Sequence, residues 1–302
     1  MSRPVGRPGG ERSDRVTEPV VSGRWRVGTA IAIAVVTGSC AGPTSAPGTA
    51  AAVSVELPLT DLDVVVTSVS DGDSFRAEAP AGEIEVRLLG LNAPELDECH
   101  GRLAKEALGA MIDGHSIGLA SEPARDQFDR VLARAVVEAT YVNVELVLKG
   151  HGVVLSGDAP DRELLLEAEE IARAGGTGMW ASDVCGAVGV PPAVEIIAID
   201  HDPPGSDEDE SVTLANTGDT PLDLEGFVLR DESSLNRFEF PSIEIAPGGD
   251  IVIVSGCQRN DPGTLTWCAD QPVWNNEGDT ALLLDRAGRI VAFHRYWLTS
   301  GE

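Results

Sequence analysis

Positive charge is what this 302-residue chain has least of: 22 lysines and arginines stand against 49 acids, a net charge of −27. Proteins that hold nucleic acid tightly draw much of their affinity from neutralised phosphates, so a broad basic footprint is excluded as the basis of function. An anionic ligand would have to be met locally, by a few cations or a bound metal. Long apolar runs are missing too. The apolar run over residues 27–36 falls short of the ~20 residues that a membrane-spanning helix needs. Five cysteines include no C-x-x-C pair, which argues against a zinc framework. What is left, 42% hydrophobic and 24% charged, is a globular composition, and the length suffices for two cores of ordinary size.

The arginines that are present are unevenly placed. Six of them, against three acids, precede residue 27, ahead of the apolar run and of Thr37-Gly38-Ser39-Cys40. A basic lead, a short apolar core and small residues make the pattern of a secretory signal. The tetrapeptide also resembles a bacterial lipobox, in which the cysteine is lipidated and becomes the new N-terminus. An export segment over 1–40 is therefore expected, ending either in a membrane anchor on Cys40 or in plain secretion. Without the first 26 residues the balance is 16 basic against 46 acidic, or −30. Residues 41–62 begin with an Ala-, Pro-, Thr-, Ser- and Gly-rich run of no period and read as a flexible tether.

Chemistry concentrates in residues 69–95, V-S-D-G-D-S-F-R-A-E-A-P-A-G-E-I-E-V-R-L-L-G-L-N-A-P-E. Asp71-Gly72-Asp73 makes a turn between β-rich runs, and the alternation of Ile84, Val86 and Leu88 argues a strand with Arg87 on its other face. Pro94 makes Asn92-Ala93-Pro94-Glu95 a loop. Asp73, the amide oxygen of Asn92 and the carbonyl of Ala93 are hard oxygen donors of the kind calcium takes. Glu95 has the chemistry of a general base for a metal-bound water, and the planar fork of Arg87 suits a phosphate. Singly, these motifs are a turn and a loop; in this order they form the set a phosphodiesterase needs.

These residues, together with V-R-L-L-G-L-N-A-P-E, D-Q-F-D-R-V-L-A-R, Y-V-N-V-E-L-V-L-K-G-H-G and G-T-G-M-W, resemble the staphylococcal-nuclease (thermonuclease) family over about residues 63–186. The resemblance implies an α+β domain over 63–188, an OB-type five-stranded barrel with helices, that hydrolyses DNA or RNA with Ca2+. It implies metal contacts from Asp73, Asn92 and Ala93 and catalytic roles for Arg87, Glu95 and Arg130. Arg87, Gln127 and Phe128 stand as substrate-binding positions. Departures bear on affinity: Gln127-Phe128 replaces a lysine-tyrosine pair, Val154-Leu155-Ser156-Gly157 replaces a base-stacking tyrosine region, and Asn92 stands where aspartate also occurs. The alternative is a catalytically weak or inactive scaffold serving surface binding or adhesion. Along this domain, strands are expected at 63–69, 73–79 and through Leu88, then at 116–120, 131–138 and 153–155. One helix would turn Leu103, Ala107, Leu108, Met111 and Ile112 toward the barrel, and others would span 142–148 and 162–174.

Pro191-Pro192 marks a hinge. Beyond it, short strands recur every ten residues or so between Gly, Pro and Asn turns, an all-β sandwich pattern. N-T-G-D-T-P-L-D-L and W-N-N-E-G-D-T-A-L-L-L-D resemble the lamin-tail domain, which implies an immunoglobulin-like module over 193–300 that binds an unknown partner. Residues 206–210 read as a solvated acidic turn rather than a calcium site. With Cys40 set aside, four cysteines allow three connectivities. Cys257 and Cys268 share one sandwich loop while Cys99 and Cys185 bracket the first domain, so pairs within domains are expected.

Overall fold

Of the three consecutive valines at 64–66, the outer two are buried and the middle one is half exposed, and this two-residue period builds the first sheet. A computed structural model of the chain describes residues 31–32, 54–203, 210–233, 235–257 and 263–297. Cys40, its lipobox-like motif and the tether through residue 53 lie outside the described residues. Strands β1 (Leu62–Val69), β2 (Ser74–Ala79) and β3 (Gly82–Leu88) form an antiparallel meander. Strand β4 (Ser116–Arg125) pairs with β1, and β5 (Val131–Val137) with β4. A parallel pairing of β3 with β5, Val86 opposite Val131, closes five strands into a barrel. Inside lie Val64, Val66, Phe75, Ala77, Val86, Leu88, Ala133 and Ala135.

Register then aligns one end of this barrel. Ser74 lies opposite Arg87, and Val131 beside Val86, so Asp73, Arg87 and Arg130 come to the same rim. Helix α1 (Gly101–Ile112) buries Ala104, Leu108 and Ile112, a stripe of i, i+4 and i+8. Leu103, expected inward, is 53% exposed because it stands one residue off that stripe. Helix α2 (Val142–Leu148) is buried on nearly every side, and its Asn143 is satisfied: Oδ1 accepts from Ala135 N at 3.0 Å while Nδ2 donates to Leu89 O at 2.9 Å. Helix α3 (Arg162–Gly175) buries Leu165, Ala168, Glu169 and Ala172 and ends at Gly176, whose φ of 58° suits a residue without Cβ.

The second core is a sandwich. Strands β6 (Val194–Asp200), β7 (Ser211–Asn216), β8 (Val228–Arg230), β9 (Arg237–Glu239), β10 (Asp250–Val254), β11 (Thr264–Thr266), β12 (Gly278–Leu284) and β13 (Ile290–Trp297) form two four-stranded sheets, in the orders β6-β7-β10-β11 and β9-β8-β12-β13. Leu214, Leu224, Leu229, Ile253, Trp274 and Leu283 fill the space between. The disulfides Cys99–Cys185 and Cys257–Cys268 are formed. Glu210 departs from the solvated turn expected of it. It is fully buried, and its carboxylate accepts from Val273 N at 2.8 Å and Trp274 N at 3.3 Å, so two backbone donors replace the water it lost.

The two domains on either side of Pro191-Pro192 share a buried interface rather than swinging on a hinge. Val153 and Met179 pack on Leu282 and Leu284. Arg295 pairs with the buried Glu169 at 2.6 Å and donates to Val154 O at 2.7 Å. Arg289 donates to Ser182 O at 2.9 Å, and Arg237 pairs with Glu98.

Candidate active site

Asp73 ends the first turn, where its N–H donates to Asp71 Oδ1 at 3.0 Å. Gly72 lets that turn lie against its neighbours: a Cβ there would stand 2.6 Å from Ala93 Cβ and 2.7 Å from Ala104 Cβ. The close approach brings the carboxylate of Asp73, only 1% exposed, to the loop after β3. Its Oδ2 accepts from Ala93 N at 2.6 Å, and its Oδ1 accepts from Ser74 Oγ at 2.9 Å and pairs with Arg87 Nη1. The other terminal nitrogen of Arg87 donates to Asn92 Oδ1 at 2.5 Å and to Leu91 O at 3.3 Å. One guanidinium thus bridges the two side chains expected to hold metal.

Arg130 enters from the β4–β5 loop. Its Nε donates to Asp126 Oδ2 at 2.7 Å, its Nη1 stands 3.5 Å from Ser74 Oγ, and its guanidinium lies 5.2 Å from the centre of the Phe128 ring. Phe128 itself is 66% exposed, and Gln127 beside it is exposed as well. Glu95 sits at the open side of the loop, its N–H donating to Glu98 Oε2 at 3.0 Å. The same loop is pressed onto the start of α1, since a Cβ on Gly101 would fall 1.8 Å from Glu95 O. Burial brings the Arg87 guanidinium down to about 10, opposed by the charges of Asp71, Glu95 and Asp126 and helped by Arg130. It stays cationic at neutral pH, and the charges that act on it are those of the rim.

The donors suit a hard cation held loosely. Asp73 supplies one carboxylate and Asn92 an amide oxygen, both gathered by Arg87; Ala93 shows its N–H to Asp73 and carries a carbonyl in the same loop. Among the described residues no group of three or more His, Cys, Asp or Glu has the arrangement of a metal site. One carboxylate with neutral oxygens leaves most of a calcium shell to water and substrate.

Three further residues belong to this setting that sequence reasoning passed over. Ser74 links Asp73 to Arg130, and its place next to Asp73 was the available signal. The carbonyl of Glu232 accepts from Asn92 Nδ2 at 3.0 Å, and Arg230 lies nearby in β8, 1% exposed. Nothing local marks either one. Ser156, read as a loss from a stacking region, is buried between domains with its Oγ 2.7 Å from both Glu232 Oε1 and Gly278 O.

A family model described as a staphylococcal nuclease homologue matches residues 85–182, and one described as a lamin tail domain matches residues 189–297. The first match takes in Arg87, Asn92, Ala93, Glu95 and Arg130 and begins after Asp73. A Haemophilus influenzae protein named an uncharacterized endonuclease is 29% identical over 119 residues, which cover 39% of this chain and 66% of the relative, just under two thirds of its length.

Proposed function

The chain joins a staphylococcal-nuclease-homologue domain to a lamin tail domain, and from that premise we propose that it is a calcium-dependent nuclease that hydrolyses phosphodiester bonds of DNA or RNA. The observation that carries this reading is the single rim on which Asp73, Arg87, Asn92 and Arg130 are joined through hydrogen bonds, with the charge of Glu95 felt at Arg87. Glu95 takes the proton of a water whose oxygen attacks phosphorus; the bond from phosphorus to the leaving sugar oxygen breaks, and that oxygen is protonated from solvent. Arg87 and Arg130 neutralise the charge that grows on the non-bridging oxygens. Asp73, Asn92 and the Ala93 carbonyl would hold calcium, which when bound adds positive charge at the phosphate and acidifies water. The exposed ring of Phe128, beside Arg130, offers a face on which a base can stack.

Export and lipidation at Cys40 form part of the same proposal. Two disulfides support an oxidising compartment for the folded part. The test of the reaction is incubation of the purified chain with single-stranded DNA and with RNA, first with millimolar calcium and then with chelator. Cleavage that the chelator abolishes is the expected result. If both polymers stay intact with calcium, the enzyme reading falls and the surface-binding scaffold takes its place.

A further inference from the structure

Asn92 reaches out of its own domain. Its Oδ1 accepts from Arg87 at 2.5 Å, and its Nδ2 donates at 3.0 Å to the carbonyl of Glu232, 140 positions later in the chain. An amide held at both ends has one orientation, with oxygen toward Arg87. At 5% exposure, Asn92 has little water to take the place of this bond, so the acceptor on the far domain helps to fix which way the amide faces.

That acceptor is itself fixed. The Glu232 carboxylate accepts from Ser156 N at 2.8 Å, Ser156 Oγ at 2.7 Å and Thr280 Oγ1 at 2.9 Å, so the residue is tied to both domains at once.

We propose that Glu232 of the lamin tail domain is a positioning residue of the site, its main-chain carbonyl orienting the Asn92 amide for calcium. The inference rests on the nuclease reading of the rim, and it gives the second domain a role inside the reaction rather than beside it. Glu232 does not touch the reacting phosphate; it acts through Asn92.

Full-length variants test this. Ser156→Ala loosens Glu232 without touching the rim, and calorimetry with calcium alone should show affinity falling ~10-fold, the scale of losing support behind a metal ligand. Ser156→Ala with wild-type calcium affinity overturns the proposal, and a fall in its melting temperature with calcium affinity unchanged makes the contact merely structural and overturns it too. If Ser156→Ala does not fold, Thr280→Val, which removes another hydroxyl from the Glu232 carboxylate, is judged by the same titration. A wild-type chain that binds calcium without cleaving sinks the nuclease reading, while the Ser156→Ala titration still decides whether Asn92 depends on the second domain. One that neither cleaves nor binds calcium ends both.

Discussion

Arg87 spends two nitrogens on Asp73 and Asn92, a use that a planar fork permits and an ammonium does not. Arg87→Lys is therefore expected to behave nearly as badly as Arg87→Ala, each lowering cleavage at least ~100-fold, the scale of losing one charge-stabilising donor. Glu95→Gln should do the same, because the amide cannot take the water's proton. Its exposed position predicts that melting temperature stays put. Single-turnover cleavage assays beside thermal melts check all three. Equal cleavage by Glu95→Gln would leave the reaction standing and remove Glu95 as its base.

At the scale of elements, the turn between β1 and β2 matters through what it touches. Gly72→Ala drives a methyl into Ala93 and Ala104, neither of which can swing aside, so the turn or the helix must shift. A cost of about 1 to 3 kcal/mol is expected from denaturant unfolding, with calcium binding weakened because Asp73 moves with the turn. The strand pair β8–β12 carries a second prediction. Burial first, and then the charge of Glu232, push Asp279 up to about 7, from an ordinary value of 3.8. Above about pH 4 the unfolded chain releases a proton that native Asp279 keeps, so its contribution to stability declines as pH rises toward 7. The stacked pair His100 and His151 works oppositely: burial lowers both, His151 to about 4, so the unfolded chain binds more protons below about 6.5 and stability falls with falling pH. The difference between Asp279→Asn and wild type isolates the first effect. The variant's melting temperature should gain on wild type steadily from pH 4 to 7; a constant offset would show that Asp279 ionises normally.

For the whole molecule, net charge and compartment lead to separate outcomes. Cleavage should slow as salt rises, with a shallow slope, because few basic residues displace counterions from the strand. Cys40→Ser should shift the protein from the membrane fraction to the soluble exported fraction and abolish incorporation of a labelled fatty acid. An unchanged distribution would favour plain secretion. Removing the Cys99–Cys185 bridge is expected to cost about 2 to 4 kcal/mol in chemical unfolding. The bridge also lies beside the second domain, since a Cβ on Gly288 would stand 2.7 Å from Cys99 Cβ, so its loss should be felt at the interface as well.

Much of the barrel was legible in the chain because its signals are local. Alternation in residues 62–88 sets which face is buried, helical spacing finds α2 and α3, and the turn and loop residues of 69–95 carry most of the rim chemistry within one hairpin and its exit. Arg130 was legible only through its motif, since its arrival at that rim depends on the parallel closure of β3 on β5. Tertiary structure alone decided the rest. Leu103 faces out because the helix docks on Ala104, and Glu210 is buried because two backbone donors from a distant loop meet it. The docking of the sandwich against the barrel, with Glu232 on Asn92 and Arg295 on Glu169, leaves no periodic trace. A side chain's partner across 140 residues is chosen by how two finished surfaces fit, and spacing along the chain does not encode that fit.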